Sequence, residues 1–229
     1  MVFVFHSPKE FYEIALGIKV FSMIIAFLIF YYGYKAYKLT QDKKYLYFGL
    51  GFLSLLGAFV ILGITLIIHT GALLFFRFNL AQYKDFIDIY HLIYLIDIIL
   101  VLFAYMIFII VFLKIQRKDV ILMLLLFVVG LAVPSYIWSY TYFNLVSIGL
   151  LGFIIYYQGS IYLNKKSVNQ FLVLLAFILL AISHIVAIFQ QIPGYSTSSY
   201  IIVHVTQLLA FISLLGLVGM VSLNVRKKK

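Results

Sequence analysis

Six polar side chains stand where the surrounding sequence is otherwise apolar: Lys19, His91, Asp97, His184, His204 and Gln207. Each is of a type that binds protons, ions or polar solutes, and each is costly to leave facing lipid. A charged side chain at the bilayer centre costs at least ~2.5–3.5 kcal/mol, so such groups normally face the bundle interior or water. Asp97, in LIYLIDIILVLF, is the sharpest case. Its short side chain cannot reach the headgroups, so it needs a partner, water or a proton inside the bundle. Lys19 lies about five residues from the outer end of the first apolar stretch. At ~1.5 Å per residue that is about 8 Å, a depth its long stem can span.

Spacing groups these residues further. His204 and Gln207 are three apart and share a helix face, which Phe211 continues. Tyr90, Tyr94 and Asp97 follow an i, i+4, i+7 pattern that sets two hydroxyls above the carboxylate. His91 and His204 each lie about one turn inside their apolar stretches, and His184 about two turns inside its own. The six residues form a candidate site for a small solute or ion. Two other chemistries fit the same imidazoles: axial ligation of a b-type haem by two of them, or a divalent metal held by three. The plain alternative for each histidine is an amphipathic residue at the lipid–water interface. The chain has no cysteine, which removes thiolate zinc, iron–sulfur clusters and covalently attached haem. No GxSxG elbow, phosphate loop or dinucleotide fingerprint occurs, so an enzyme is the least supported class. Seven-span zinc hydrolases of the ceramidase and adiponectin-receptor kind carry HxxxH in their last span. The corresponding stretch here, His204-Val-Thr-Gln-Leu, lacks the second histidine.

The elements that must position these residues are seven apolar stretches near 14–36, 45–68, 88–113, 120–140, 145–163, 170–190 and 200–224. Two thirds of the chain is hydrophobic (66%) and only 10% is charged, against about 25% charged in a soluble domain. About 20 apolar residues suffice to cross a bilayer as a helix. The expected fold is an all-α integral membrane protein of seven transmembrane helices, one membrane domain over 1–229, in the cell membrane. The longest polar interruption, roughly 69–87, contains LLFF and is expected to lie along the interface. Pro134 is expected to kink span 4, and the small residues Gly51, Ser54 and Ala58 to serve as packing notches.

The net charge of +10 is a topology signal rather than a nucleic-acid footprint. Thirteen of the 17 basic residues fall on alternate connections, at Lys35, Lys38, Lys43, Lys44, Lys114, Arg117, Lys118, Lys165, Lys166 and the RKKK tail. The positive-inside rule then sets the N-terminus outside and the C-terminus inside. Span 1 lacks a basic leader and a cleavage site and is expected to remain in the protein. Partners expected are the lipid bilayer, a small solute or ion, and an oligomer or companion membrane subunit, but no nucleic acid. A receptor-like subunit acting through partners is the rival reading.

Sliding the chain against itself by 125 positions aligns spans 1 and 2 with spans 5 and 6, matching Ser22/Ser147, Tyr31/Tyr156, Tyr32/Tyr157, Tyr37/Tyr162, Phe52/Phe177 and Leu55/Leu180. An offset of 113 matches span 3 with span 7, through His91/His204, Leu95/Leu208 and Ile99/Ile212. The expected plan is a 3+1+3 parallel repeat, with halves at about 14–113 and 145–224 and a linker helix at 120–140. In topology alone this resembles the SWEET sugar transporters and the microbial rhodopsins. The Pro-Gln signature of the transporter group's relatives is missing, and span 7 has no buried lysine to hold retinal.

Overall fold

The computed structural model describes residues 12–75, 80–138, 140–189 and 196–226, and side-chain surroundings for 16–64, 92–136, 140–189 and 199–217. These residues form seven helices: α1 (Tyr12–Thr40), α2 (Lys43–Phe75), α3 (Leu80–Phe112), α4 (Lys118–Trp138), α5 (Tyr140–Lys165), α6 (Val168–Phe189) and α7 (Ser196–Arg226). All seven are long and apolar enough to cross a membrane, and no strand occurs among the described residues. The chain is a polytopic, all-helical membrane protein.

Several helices outrun the apolar stretches. α2 and α3 have 33 residues each, about 50 Å at the helical rise, against ~30 Å of hydrocarbon. Much of the stretch expected to lie along the interface is therefore helical extension, with only 76–79 outside the described residues. Leu73, Leu74 and Phe75 continue the helix-compatible apolar pattern, and no proline intervenes to stop it. Pro134 lies inside α4, one turn before its end.

The connections α1–α2 and α5–α6 are built alike. Each is two residues long, and the first residue takes a left-handed conformation: φ is 56° at Gln41 and 45° at Lys166. Their backbone N–H groups donate to Tyr37 O (2.8 Å) and Tyr162 O (2.7 Å), closing the preceding helix. The second residue caps the next helix. Asp42 Oδ1 accepts from the Lys44 N–H at 3.0 Å, and Ser167 Oγ accepts from the Gln170 N–H at 3.3 Å. The Lys44 ammonium also pairs with Asp42 at 2.8 Å. That ammonium first, and the Lys44 N–H second, hold the Asp42 carboxyl below the ordinary carboxylate range.

Each helix packs on the next, and α7 returns to α1, so the helices form a ring in chain order. α3 also packs against α5, which leaves α4 touching only α3 and α5 among the described residues. Leu122, Met123, Leu126 and Phe127 on α4 are accordingly exposed, as lipid-facing residues should be. At the centre lies a set of rings. Phe108 of α3 meets Phe52 of α2 at 5.0 Å and Phe177 of α6 at 5.6 Å between centroids, while Phe59 meets Phe211 of α7 at 5.3 Å. Gly51 makes room for this cluster, since a Cβ there would fall 2.5 Å from the Phe108 ring. Helix-to-helix association in lipid relies on such close packing and on interhelical hydrogen bonds. Ser54 Oγ provides one, donating to the Leu100 carbonyl of α3 at 2.8 Å. One turn earlier on α2, a Cβ on Gly33 of α1 would come within 3.3 Å of the Gly49 Cα, so the two backbones cross closely there.

Candidate functional site

Most of the buried polar side chains gather toward the end of the bundle at which α1, α3, α5 and α7 begin. Asp97 (α3), Asn144 and Ser147 (α5), Ser183 and His184 (α6), and Ser199 and His204 (α7) are all buried, as is Ser22 on α1. Nothing in hydrocarbon can satisfy such groups, so a cost falls on any that lacks a partner within the bundle.

His184 has two. Its Nδ1 lies 2.8 Å from Asn144 Oδ1, and its Nε2 lies 2.8 Å from the Tyr105 hydroxyl. The direction of every bond in this chain follows from one fixed acceptor. Asn144 Nδ2 donates to the Tyr140 carbonyl at 2.8 Å, and a carbonyl can only accept. Asn144 therefore turns Oδ1 toward His184, which must donate from Nδ1. A neutral imidazole then has only its Nε2 lone pair left, so Tyr105 donates to it. Phe143 and Tyr105 close around the ring at centroid distances of 5.6 and 5.8 Å. The chain joins α3, α6 and α5 with no spare valence on the histidine.

The second group surrounds Asp97. Lys19 on α1 is the cation within electrostatic reach of this carboxylate, and it also acts on His204. The Lys19 ammonium lies over the Phe59 ring, 5.2 Å from its centroid. No ion pair joins Lys19 to Asp97 among the described residues. Asp97 Oδ1 and His204 Nδ1 are both buried and have no hydrogen-bond partner. Gln207, one turn beyond His204, interacts with that imidazole, and Tyr200 stacks edge-on against it at 4.4 Å. Asp97 is linked to the first group as well, since Tyr105 and Tyr140 both sense its charge.

Of the six residues singled out from the sequence, Lys19, Asp97, His204 and Gln207 thus share one neighbourhood. His184 belongs to the adjoining network instead, with both nitrogens engaged on α3 and α5. The His91 side chain lies outside the described residues, as do those that would line an opening at this end of α1, α3 and α7. Two consequences follow for cofactor chemistry. An axial haem ligand needs a free imidazole nitrogen, and His184 has none to offer. No group of three His, Asp or Glu able to hold a metal occurs among the described residues.

Tyr105, Tyr140 and Asn144 are the residues that sequence reasoning did not select. Asn144 carries a readable signal: at the offset of 125 it is the counterpart of Lys19, just as His184 is the counterpart of Phe59.

No family model, curated protein or solved structure matches this chain.

Proposed function

We propose that this protein is a permease for a small solute or ion, with its binding site at Asp97, Lys19, His204 and Gln207 and its access from the outer side of the cell membrane. The observation that carries the reading is Asp97 itself. A carboxylate enclosed by a helical bundle, with one oxygen unpartnered and a cation held nearby but not in contact, is poor design for stability. Structural pairs in lipid close up and satisfy every lone pair, because an open one is expensive. An open one suits a group that must take up and release something.

The 3+1+3 parallel repeat belongs to the same proposal. With α4 set aside, exchanging α1 with α5, α2 with α6 and α3 with α7 leaves the neighbours among the other six helices unchanged, because α1 meets α7 as α5 meets α3. The aligned pairs Ser22/Ser147, Ile29/Ile154, Phe52/Phe177 and Leu55/Leu180 are all buried, while Tyr31/Tyr156 are both exposed. The α1–α2 and α5–α6 connections agree in length, left-handed residue and cap. Two halves related by an axis along the membrane normal can rock against one another around a site between them. The basic residues of the connections favour N-terminus outside and C-terminus inside.

The reading is tested by flux. Protein reconstituted in liposomes should exchange a labelled solute or ion across the membrane, and Asp97→Asn should abolish exchange in folded protein. Unchanged exchange in that variant overturns the assignment of Asp97.

A further inference from the structure

We infer that the solute is a small zwitterion, carrying an ammonium and a carboxylate a bond or two apart, bound with its ammonium on Asp97 Oδ1 and its carboxylate on Lys19 and His204 Nδ1. The inference rests on the permease reading for the location of the site, and it adds the chemical class. Its starting point is a pair of opposite charges that do not touch. Attraction between such charges strengthens as the dielectric falls, yet Lys19 rests on the Phe59 face rather than closing on Asp97. The separation leaves a buried carboxylate oxygen without a partner on one side and a cation held on an aromatic face on the other. His204 Nδ1, another buried atom without a hydrogen-bond partner, adds a hydrogen-bonding position beside the cation.

Charge arithmetic selects among ligands. A lone cation would satisfy Asp97 but face Lys19, and a lone anion would satisfy Lys19 but face Asp97. A neutral polyol would bring no charge to meet either member of the pair. A zwitterion completes both at once and brings no net charge into the hydrocarbon, where net charge is what costs most. Phe59 and Phe211, 5.3 Å apart at the edge of the same neighbourhood, offer an apolar wall for a hydrocarbon substituent. An α-amino acid with an apolar side chain has all three parts.

The test uses the full-length protein purified into nanodiscs. Its melting temperature is followed with each common L-amino acid as probe at ~10 mM, and with n-propylamine and propionate each alone. At least one amino acid should raise the melting temperature by about 2 °C or more, as a ligand binding only the folded state must, and neither single-charge compound should. The double variant Lys19→Met/Asp97→Asn leaves no unpaired charge behind and should melt as a folded protein that has lost the response. The inference is overturned if no amino acid shifts the wild type, if propylamine or propionate alone matches the effect, or if the double variant still responds. The wild-type panel decides alone should the double variant not fold. Counterflow in proteoliposomes separates the two claims. An amino acid that binds without counterflow keeps the zwitterion site and removes the permease. Counterflow of an inorganic cation with no amino-acid response does the reverse.

Discussion

Tyr105 and His184 are 79 residues apart in the chain, yet the tyrosine hydroxyl donates to the imidazole Nε2 at 2.8 Å, across the bundle from α3 to α6. The bond closes a chain that continues through Asn144 to the Tyr140 carbonyl of α5. Tyr105→Phe and Asn144→Ala should each destabilise the bundle, by about 0.6–2 kcal/mol, the range for interhelical hydrogen bonds in membranes and for buried groups left unpaired. Each should couple to His184→Ala by about 0.5 kcal/mol or more in a double-mutant cycle of unfolding in micelles. Additive effects would mean that the imidazole does not hold the two helices together.

Gly51 and Phe108 give a steric prediction. A methyl group at position 51 would overlap the Phe108 ring, which is itself fully buried between α2 and α6. Gly51→Ala should cost about 1–3 kcal/mol through overpacking. Phe108→Leu, destabilising alone, should restore part of the loss in the Gly51→Ala background. Unfolding free energies of the four proteins decide it, and a Gly51→Ala bundle as stable as wild type would contradict the packing.

Asp42 provides a pH dependence whose sign is fixed. Its carboxyl is held below its ordinary value by Lys44, so the stabilisation is present above the unfolded-state value and lost as pH falls through the folded one. Asn caps helices about as well as Asp, so Asp42→Asn isolates the charge. The wild type should be slightly more stable than Asp42→Asn at neutral pH, and the difference should shrink as pH falls below the ordinary Asp value of about 3.9 and vanish once the folded carboxyl is protonated. The exposed setting keeps it small. A difference that grows on acidification would reverse the assignment.

Topology is open to direct measurement. Reporter fusions after Lys44, Lys118 and Lys166 should all report the cytoplasm, since these connections carry the positive charge. One reporter found outside would invert or break the proposed orientation.

The seven helices are legible in the sequence because apolar length is a strong signal and the alternative, a soluble domain with so little charge, is not viable. Helix ends are less so: α2 and α3 extend past their apolar stretches because helical continuation needs only the absence of a stop signal. Lys19, Asp97, His204 and Gln207 draw attention through the cost of polar groups in lipid, a local property that needs no partner to be known. The partners are another matter. Which residue meets His184 depends on how α3, α5 and α6 are rotated about their axes, and periodicity within one helix does not carry that. The six residues singled out from the sequence lie on spans 1, 3, 6 and 7, and α5 supplies none because no Asp, Glu, His, Lys or Arg stands near its start. Its contribution, Asn144, is an uncharged amide. Tyr105 sits in an apolar run, and only its cross-helix hydrogen bond to His184 separates it from its many fellow tyrosines, while Tyr140 takes part through its backbone carbonyl within α5.

Gln41, Lys114 and Lys166, the residues that turn the chain after α1, α3 and α5, all have φ between 45° and 56°. Glycine fits that backbone without a Cβ clash, and a side chain there costs roughly 1 kcal/mol. Two of the three positions nevertheless hold lysine. On the proposed orientation, those lysines matter while the nascent chain is leaving the ribosome and the insertion machinery is sorting which loops to retain. The finished bundle inherits residues suited to a decision made before it existed. Replacing Lys114 and Lys166 by glycine would improve the final fold while weakening the instructions for reaching it, so a more stable variant of this protein could also be one that more often enters the membrane upside down.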